Sequence, residues 1–217
     1  MKRIFLTIGV AGLMVSAASA ATVTFNTTGS TLGCNGVSGC GQVNSTTVLV
    51  GGITLMYIPT SVAGLTTDSY TNLGQIISTG SGTAISVSGI TLTILVSTTV
   101  PAGIGPRTLP NGVIAGTLST LNSQSTIMFS PINNSTTTTL DGTKPGIVVS
   151  GGGVTLTYQV SNPNVFLTPP GAGGTGTTTI QGSVTDSTPA SVPEPTPLVL
   201  MGAGLGLIGL LRRRAAR

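Results

Sequence analysis

The chain has no histidine and no tryptophan, and it carries little charge. Charged side chains make up 6% of its 217 residues and aromatic side chains 3%, against ~25% charged residues in an average soluble domain. Without histidine, the Ser-His and Cys-His mechanisms have no general base. The other candidates for catalysis, Lys144 and the acids Asp68, Asp141 and Asp186, lie in sequence typical of turns. The sequence therefore predicts a protein that is not an enzyme and has no catalytic residues, metal site or cofactor.

The positive charge lies almost entirely at the two ends of the chain. The formal net charge is +4, but between the Lys2-Arg3 pair and the arginines from Arg212 onward the only basic residues are Arg107 and Lys144. Binding of nucleic acid requires lysine and arginine clustered on one face. The middle of the chain cannot form such a patch, so nucleic acid is excluded as a partner.

The first twenty residues have the pattern of a secretory signal peptide. Lys2 and Arg3 begin it, an apolar run extends over residues 4–15, and Ala18-Ser19-Ala20 supplies the small residues that signal peptidase accepts. Cleavage after Ala20 would make Ala21 the new N-terminus. An uncleaved membrane anchor is the alternative, although the apolar run is short for a membrane span.

Residues 193–217 contain three successive signals. Pro193-Glu194-Pro195 comes first, an apolar Leu- and Gly-rich stretch covers residues 198–211, and Arg212-Arg213-Arg214 follows. Prolines disfavour helix at the start, the apolar stretch favours the bilayer, and the arginines favour its cytoplasmic side. The stretch is shorter than the ~20 residues of an ordinary span, which suits temporary residence in the inner membrane.

This C-terminal segment resembles the PEP-CTERM sorting signal, which has the same three parts in the same order. The resemblance implies a substrate of exosortase, a membrane peptidase of Gram-negative bacteria, with cleavage near Pro193–Pro195. It further implies delivery to the cell surface or extracellular matrix and an association with exopolysaccharide and biofilm. The same C-terminal element is also named after ice-binding proteins, because some of them carry it. That name describes the tail and says nothing about what the rest of the chain binds. An ordinary tail anchor is the alternative and differs only in whether the tail is removed.

Two cysteines, Cys34 and Cys40, lie close together in the exported part. In an oxidising compartment this favours a disulfide that closes a small loop, and two free thiols are the alternative. Two cysteines without histidine are too few for a zinc site.

Residues 21–184 alternate apolar and polar side chains in short runs separated by turn residues, which predicts an all-β domain. We expect a single β-sandwich, followed by a polar linker over residues 185–192. Three similar segments, at 52–57, 89–94 and 153–158, are irregularly spaced and therefore indicate core strands, not a repeat array. The strands are expected at 23–25, 48–59, 75–78, 83–100, 113–121, 125–130, 147–160 and 177–184, and the aromatic core is expected to contain Phe25, Tyr57, Phe129, Tyr158 and Phe166.

The leading functional hypothesis is a structural protein of the cell surface or matrix, motivated by the two targeting segments and the missing catalytic groups. The alternative is an extracellular binding module for carbohydrate or ice. Carbohydrate sites usually present aromatic side chains with polar partners. Ice could be bound by a ladder of threonines, for which the candidates are the pairs Thr22/Thr24, Thr91/Thr93 and Thr155/Thr157. The preference of threonine for strands explains these pairs equally well.

Overall fold

The fold is built from β-strands, as the alternating sequence predicts. A computed structural model describes residues 21–121, 124–129 and 144–187, and this part of the chain contains no helix and hence none that could span a membrane. The all-β class is confirmed. The strands are β1 (Thr22–Asn26), β2 (Thr31–Gly33), β3 (Cys40–Asn44), β4 (Thr47–Val50), β5 (Ile53–Ile58), β6 (Ser61–Thr66), β7 (Ser69–Gly80), β8 (Ile85–Thr93), β9 (Leu95–Val100), β10 (Arg107–Thr108), β11 (Gly112–Leu118), β12 (Thr126–Phe129), β13 (Gly146–Gly151), β14 (Val154–Val160), β15 (Asn164–Phe166) and β16 (Thr175–Asp186).

Several predictions concern segments outside the described residues. These are the signal peptide over 1–20, the sorting segment over 193–217 with its membrane stretch, and most of the linker. Strand β16 continues to Asp186, so the first two residues of the predicted linker 185–192 belong to the strand instead. The predicted site residues that lie outside are Ala18, Ala20, Asp141, Pro193, Glu194, Pro195, Arg212, Arg213 and Arg214.

The strands form three sheets whose pairings are antiparallel. The four-stranded sheet has the order β10-β9-β1-β6, and the five-stranded sheet has the order β15-β12-β11-β8-β2. The largest sheet contains seven strands in the order β13-β14-β16-β7-β5-β4-β3. Its long central pair, β7 and β16, joins residues far apart in the sequence.

Strand β16 shows why this sequence forms a half-buried strand. Its even positions from Gly176 to Val184 are buried, whereas Thr175, Thr177, Thr179 and Gln181 are exposed. Successive side chains of a strand point to opposite faces of the sheet. The seven-stranded sheet therefore has an apolar inner face and a hydroxyl- and amide-bearing outer face in this region.

One contiguous core joins the three sheets. The ring of Phe25 on β1 meets the ring of Tyr158 on β14 edge to face, with centroids 5.4 Å apart, and the Tyr158 hydroxyl lies 2.8 Å from Oγ1 of Thr98 on β9. Phe129 and Tyr57 are also buried, as predicted. The prediction for Phe166 is wrong: it is 70% exposed, because it lies on the short edge strand β15.

Glycine pairs divide two segments that the alternation predicted as single strands. Gly51-Gly52 separates β4 from β5, and Gly152-Gly153 separates β13 from β14. All four glycines have positive φ, between 58° and 81°, as required by tight hairpin turns that follow the strand twist. The predicted strand over 83–100 is also divided, into β8 and β9, which belong to different sheets. At the start of β9 the Leu95 N–H donates to the Ser30 hydroxyl.

Candidate functional site

Cys34 and Cys40 form a disulfide that closes the loop between β2 and β3, of which Cys40 is the first residue. The Asn35-Gly36 turn lies inside this loop, and both residues have positive φ. The Val37 N–H donates to the Cys34 carbonyl and the Cys40 N–H donates to the Val37 carbonyl. The disulfide therefore closes a compact turn that also carries its own backbone hydrogen bonds.

Of the acids and the lysine that the sequence places in turn-like segments, Asp68, Asp186 and Lys144 lie within the described residues. Asp68 has φ 65° in the turn between β6 and β7, and its N–H donates to the Val184 carbonyl. Asp186 ends β16, and Lys144 precedes β13. The described residues contain no cluster of three or more potential metal ligands.

A β-bulge interrupts the central pair of the seven-stranded sheet. Ile180 pairs with Gly74 while Gln181 pairs with Asn72, so Leu73 is the extra residue of β7. A bulge leaves backbone groups unpaired and re-aims the neighbouring side chains. Strand β5 pairs with β7 only over Gln75–Gly80, so in the described structure the part of β7 before the bulge has β16 as its only sheet neighbour.

Two side chains satisfy the backbone groups that the bulge frees. On the inner side, the buried Tyr57 hydroxyl donates to the Leu73 carbonyl at 2.6 Å and also lies 3.1 Å from Thr27 Oγ1. On the outer side, the Gly74 N–H donates to Oδ1 of Asn72 at 2.8 Å. Burial raises the pKa of the Tyr57 hydroxyl, against the lowering effect of the nearby hydroxyls of Thr27 and Ser30.

Gly74 is required by the geometry of this bulge. Its φ is 134°, a conformation that residues with a Cβ rarely adopt, and a Cβ at this position would overlap the Tyr57 hydroxyl. The Tyr57–Leu73 hydrogen bond and a side chain at position 74 are therefore mutually exclusive. The bulge is thus fixed from both faces of the sheet.

A cleft opens on the outer face beside the bulge and has a volume of about 250 Å³. Tyr70 stands at its wall with 77% of its surface exposed. The cleft is lined by Tyr70, Thr71, Asn72, Thr179 and Gln181.

The residues that line the cleft have polar side chains, and none of them is an acid, a lysine or an arginine. The amides of Asn72 and Gln181, the hydroxyl of Thr179 and the phenol of Tyr70 supply both hydrogen-bond donors and acceptors. Asp68, the nearest carboxylate along the chain, is not among the lining residues. Apart from the Asn72 Oδ1 contact, these side chains make no hydrogen bond within the described part of the protein. They are therefore accessible to a ligand.

The threonine pairs predicted as an ice-binding ladder do not form one exposed array. They are distributed over β1, β8 and β14 in three different sheets, and Thr157 is buried with its Oγ1 lacking a partner. The exposed threonine file is instead Thr175, Thr177 and Thr179 on β16.

Sequence reasoning did not find the cleft, because its two halves are separated by more than a hundred residues. The alternation of a strand does place Tyr70 and Asn72 on one face, and that signal was present in the sequence. Their pairing with Ser183 and Gln181 follows only from the sheet topology. No protein-family model, no curated protein and no solved structure matches the chain.

Proposed function

We propose that this is an exported structural protein of the bacterial cell surface or extracellular matrix, sorted through its C-terminal PEP-CTERM-like segment. The observation that carries the proposal is the position of the fold between the two targeting segments. Strand β1 begins at Thr22, directly after the expected cleavage site between Ala20 and Ala21, and β16 ends at Asp186, before the Pro193-Glu194-Pro195 motif. Cleavage at both places would leave every described strand intact.

In this proposal signal peptidase and exosortase act in sequence. The signal peptide directs export, the apolar stretch over 198–211 tethers the chain in the inner membrane, and the arginines Arg212–Arg214 stay on its cytoplasmic side. Exosortase then cuts near Pro193–Pro195 and releases the domain to the surface or matrix, among exopolysaccharide. The disulfide between Cys34 and Cys40 suits an oxidising location.

We also propose that the domain is a β-sandwich with a structural, non-enzymatic role. The Phe25–Tyr158 ring contact and the Thr98–Tyr158 hydrogen bond support a packing of the four-stranded sheet against the seven-stranded sheet. The absence of histidine supports the non-enzymatic role, since it removes the commonest general base.

A double substitution, Pro193→Ala with Pro195→Ala, tests the sorting proposal in the native host. The variant should keep its tail and accumulate in the inner membrane, because the cleavage motif is lost. The matched control is Pro197→Ala, which removes a neighbouring proline outside the motif and should be processed like the wild type. Equal processing of all three proteins would contradict the proposal.

The second candidate function is an extracellular binding module for carbohydrate or ice. The specific observation in its favour is the outer-face cleft at Tyr70, where an exposed aromatic ring stands beside amides and hydroxyls. A displayed domain can both contribute to a matrix and bind one of its components, so the two functions are compatible.

A further inference from the structure

Tyr70 differs from the other tyrosines of the chain in its surroundings. Tyr57 and Tyr158 are buried and hydrogen-bonded in the core, whereas Tyr70 is 77% exposed and makes no hydrogen bond to any residue that the structure describes. A single exposed apolar residue needs no explanation by itself. Here, however, the ring stands at the wall of a cleft whose other lining residues are threonines, an asparagine and a glutamine, and this combination favours a ligand that offers both an apolar face and hydrogen-bonding groups.

One side chain of the cleft, that of Asn72, is held in place at the bulge. The Gly74 N–H donates to Oδ1 of Asn72, which leaves the Asn72 amino group as a donor. Asn72 and Gln181 face each other as a cross-strand pair, and Thr179 lies on the same face as Gln181. Because this hydrogen bond already fixes its side chain, Asn72 loses little freedom when a ligand binds.

The cleft lacks the basic side chains that an anionic ligand requires. Phosphate and carboxylate ligands are usually held by arginine, lysine or a helix N-terminus. None of the lining residues is basic, and the described part of the chain has no helix. Arg107 and Lys144, the cations of the described domain, do not line the cleft. A ligand that matches this site is neutral and rich in hydroxyl groups.

We propose that this cleft, formed by Tyr70, Thr71, Asn72, Thr179 and Gln181, binds a sugar unit of a neutral polysaccharide. A pyranose ring has an apolar face of C–H groups, which packs on the aromatic ring of Tyr70, and a rim of hydroxyls, which pairs with the amides and hydroxyls. The volume of about 250 Å³ lies just below the ~300–1,000 Å³ of small-molecule sites, consistent with one sugar ring. Thr177 and Thr175 continue the exposed file away from the cleft, so neighbouring sugars of a chain meet further hydroxyls.

Ice is the competing ligand for a threonine-bearing sheet, and the outer face argues against it. Beside Thr175 on β16 the paired residue of β7 is Thr79, which itself pairs with Thr54 of β5, but beside Thr177 it is Ile77 and beside Thr179 it is Gln75. The threonines therefore form one file with a single row across it, not a regular two-dimensional array, and the exposed Tyr70 ring interrupts the flatness of the surface. A sugar that is gripped at one ring requires no such array.

Calorimetric titration of the full-length chain tests this proposal, in a detergent without a sugar head group that could compete for the cleft. The probes are hydroxyethylcellulose, dextran and galactomannan as neutral polysaccharides, and alginate as a carboxylated one. We expect at least one neutral polymer to bind with Kd of about 0.1–1 mM per site, and alginate to bind more weakly. No binding of any neutral polymer, or preference for alginate, would overturn the proposal.

Substitutions then assign the binding to the cleft. Tyr70→Ala should lower the affinity about tenfold or more, because the stacking surface is lost, whereas Tyr70→Phe should keep most of it. The matched control is Phe166→Ala, which removes an aromatic ring that is similarly exposed but lies on the five-stranded sheet. Equal loss in Tyr70→Ala and Phe166→Ala would overturn the assignment, and so would thermal hysteresis in the absence of polysaccharide binding.

Chemical nitration gives an independent readout. Tyr70 should be the first tyrosine nitrated, since Tyr57 and Tyr158 are buried, and a bound neutral polysaccharide should slow its nitration in proportion to occupancy. Unchanged nitration of Tyr70 at saturating polysaccharide would overturn the placement of the ligand. The inference does not depend on sorting, because these measurements use purified protein and a failure of tail cleavage would leave them unaffected.

Discussion

Replacing Gly74 with alanine tests the bulge on which the cleft depends. Gly74 has φ 134°, and an added Cβ would overlap the hydroxyl of Tyr57. Adopting such a backbone conformation with a side chain costs ~1–3 kcal/mol. Displacing the Tyr57 hydroxyl leaves the Leu73 carbonyl buried without its partner, which costs a further ~1–3 kcal/mol. We therefore expect Gly74→Ala to lower the free energy of unfolding by about 4 kcal/mol.

The matched control for this prediction is Gly64→Ala. Gly64 also has positive φ, at 64°, but a Cβ there would meet no heavy atom of the described residues within 4 Å. Only the left-handed backbone conformation is then unfavourable, by ~1–2 kcal/mol. Urea denaturation followed by circular dichroism measures both variants. A Gly74→Ala protein as stable as the Gly64→Ala protein would refute the assignment of Gly74 to a bulge packed against Tyr57.

Three further predictions concern buried hydroxyls and the disulfide. Tyr57→Phe should lower the free energy of unfolding by ~1–3 kcal/mol in urea denaturation, because the Leu73 carbonyl loses its donor; an unchanged midpoint would contradict this. Burial raises the pKa of Tyr158 to about 12, so the folded state keeps its proton while the unfolded phenol ionises from about pH 10. Stability should therefore fall between about pH 10 and 12 by up to ~1.4 kcal/mol per pH unit, and Tyr158→Phe should flatten that slope in denaturation curves. Replacing both Cys34 and Cys40 with serine opens only a short loop and should lower the free energy of unfolding by ~2 kcal/mol in urea denaturation. A loss of about 5 kcal/mol or more would show that the effect of the disulfide is not confined to this loop.

The inner faces of β5 and β14, two strands inside the seven-stranded sheet, could be predicted from the sequence. In β5, Ile53, Leu55 and Tyr57 are buried at alternate positions. In β14 the apolar side chains of Leu156 and Tyr158 are likewise buried two residues apart, although Thr157 between them is buried as well. Hydrophobic burial at every second residue is the dominant signal of a half-buried strand. The prediction succeeded here because packing and local propensity act in the same direction.

Strands without an apolar face could not be predicted in this way. Every residue of β3 after Cys40 is exposed, and β6 has no buried residue at all. Backbone pairing at sheet edges holds these strands, and the pattern of side chains carries little information about it. The same reasoning explains why Phe166 is exposed and not buried. Its aromatic side chain favours a strand, but the strand that it joins, β15, lies at the edge of its sheet.

The candidate site depends on long-range pairing and was therefore invisible to local patterns. Tyr70 and Asn72 meet Ser183 and Gln181 only because β7 pairs with β16. The bulge that turns Asn72 toward the Gly74 N–H requires one residue more in β7 than in β16. Neither the pairing nor the extra residue follows from periodicity, since a register shift of one residue would reverse both faces.

Intact mass spectrometry of the protein from each fraction of its native host distinguishes sorting by cleavage from permanent anchoring. We expect a mature form that begins at Ala21, ends near Pro193–Pro195 and is found outside the inner membrane. A protein that retains residues 198–217 and occurs only in the inner membrane would contradict sorting by cleavage and would indicate an ordinary tail anchor.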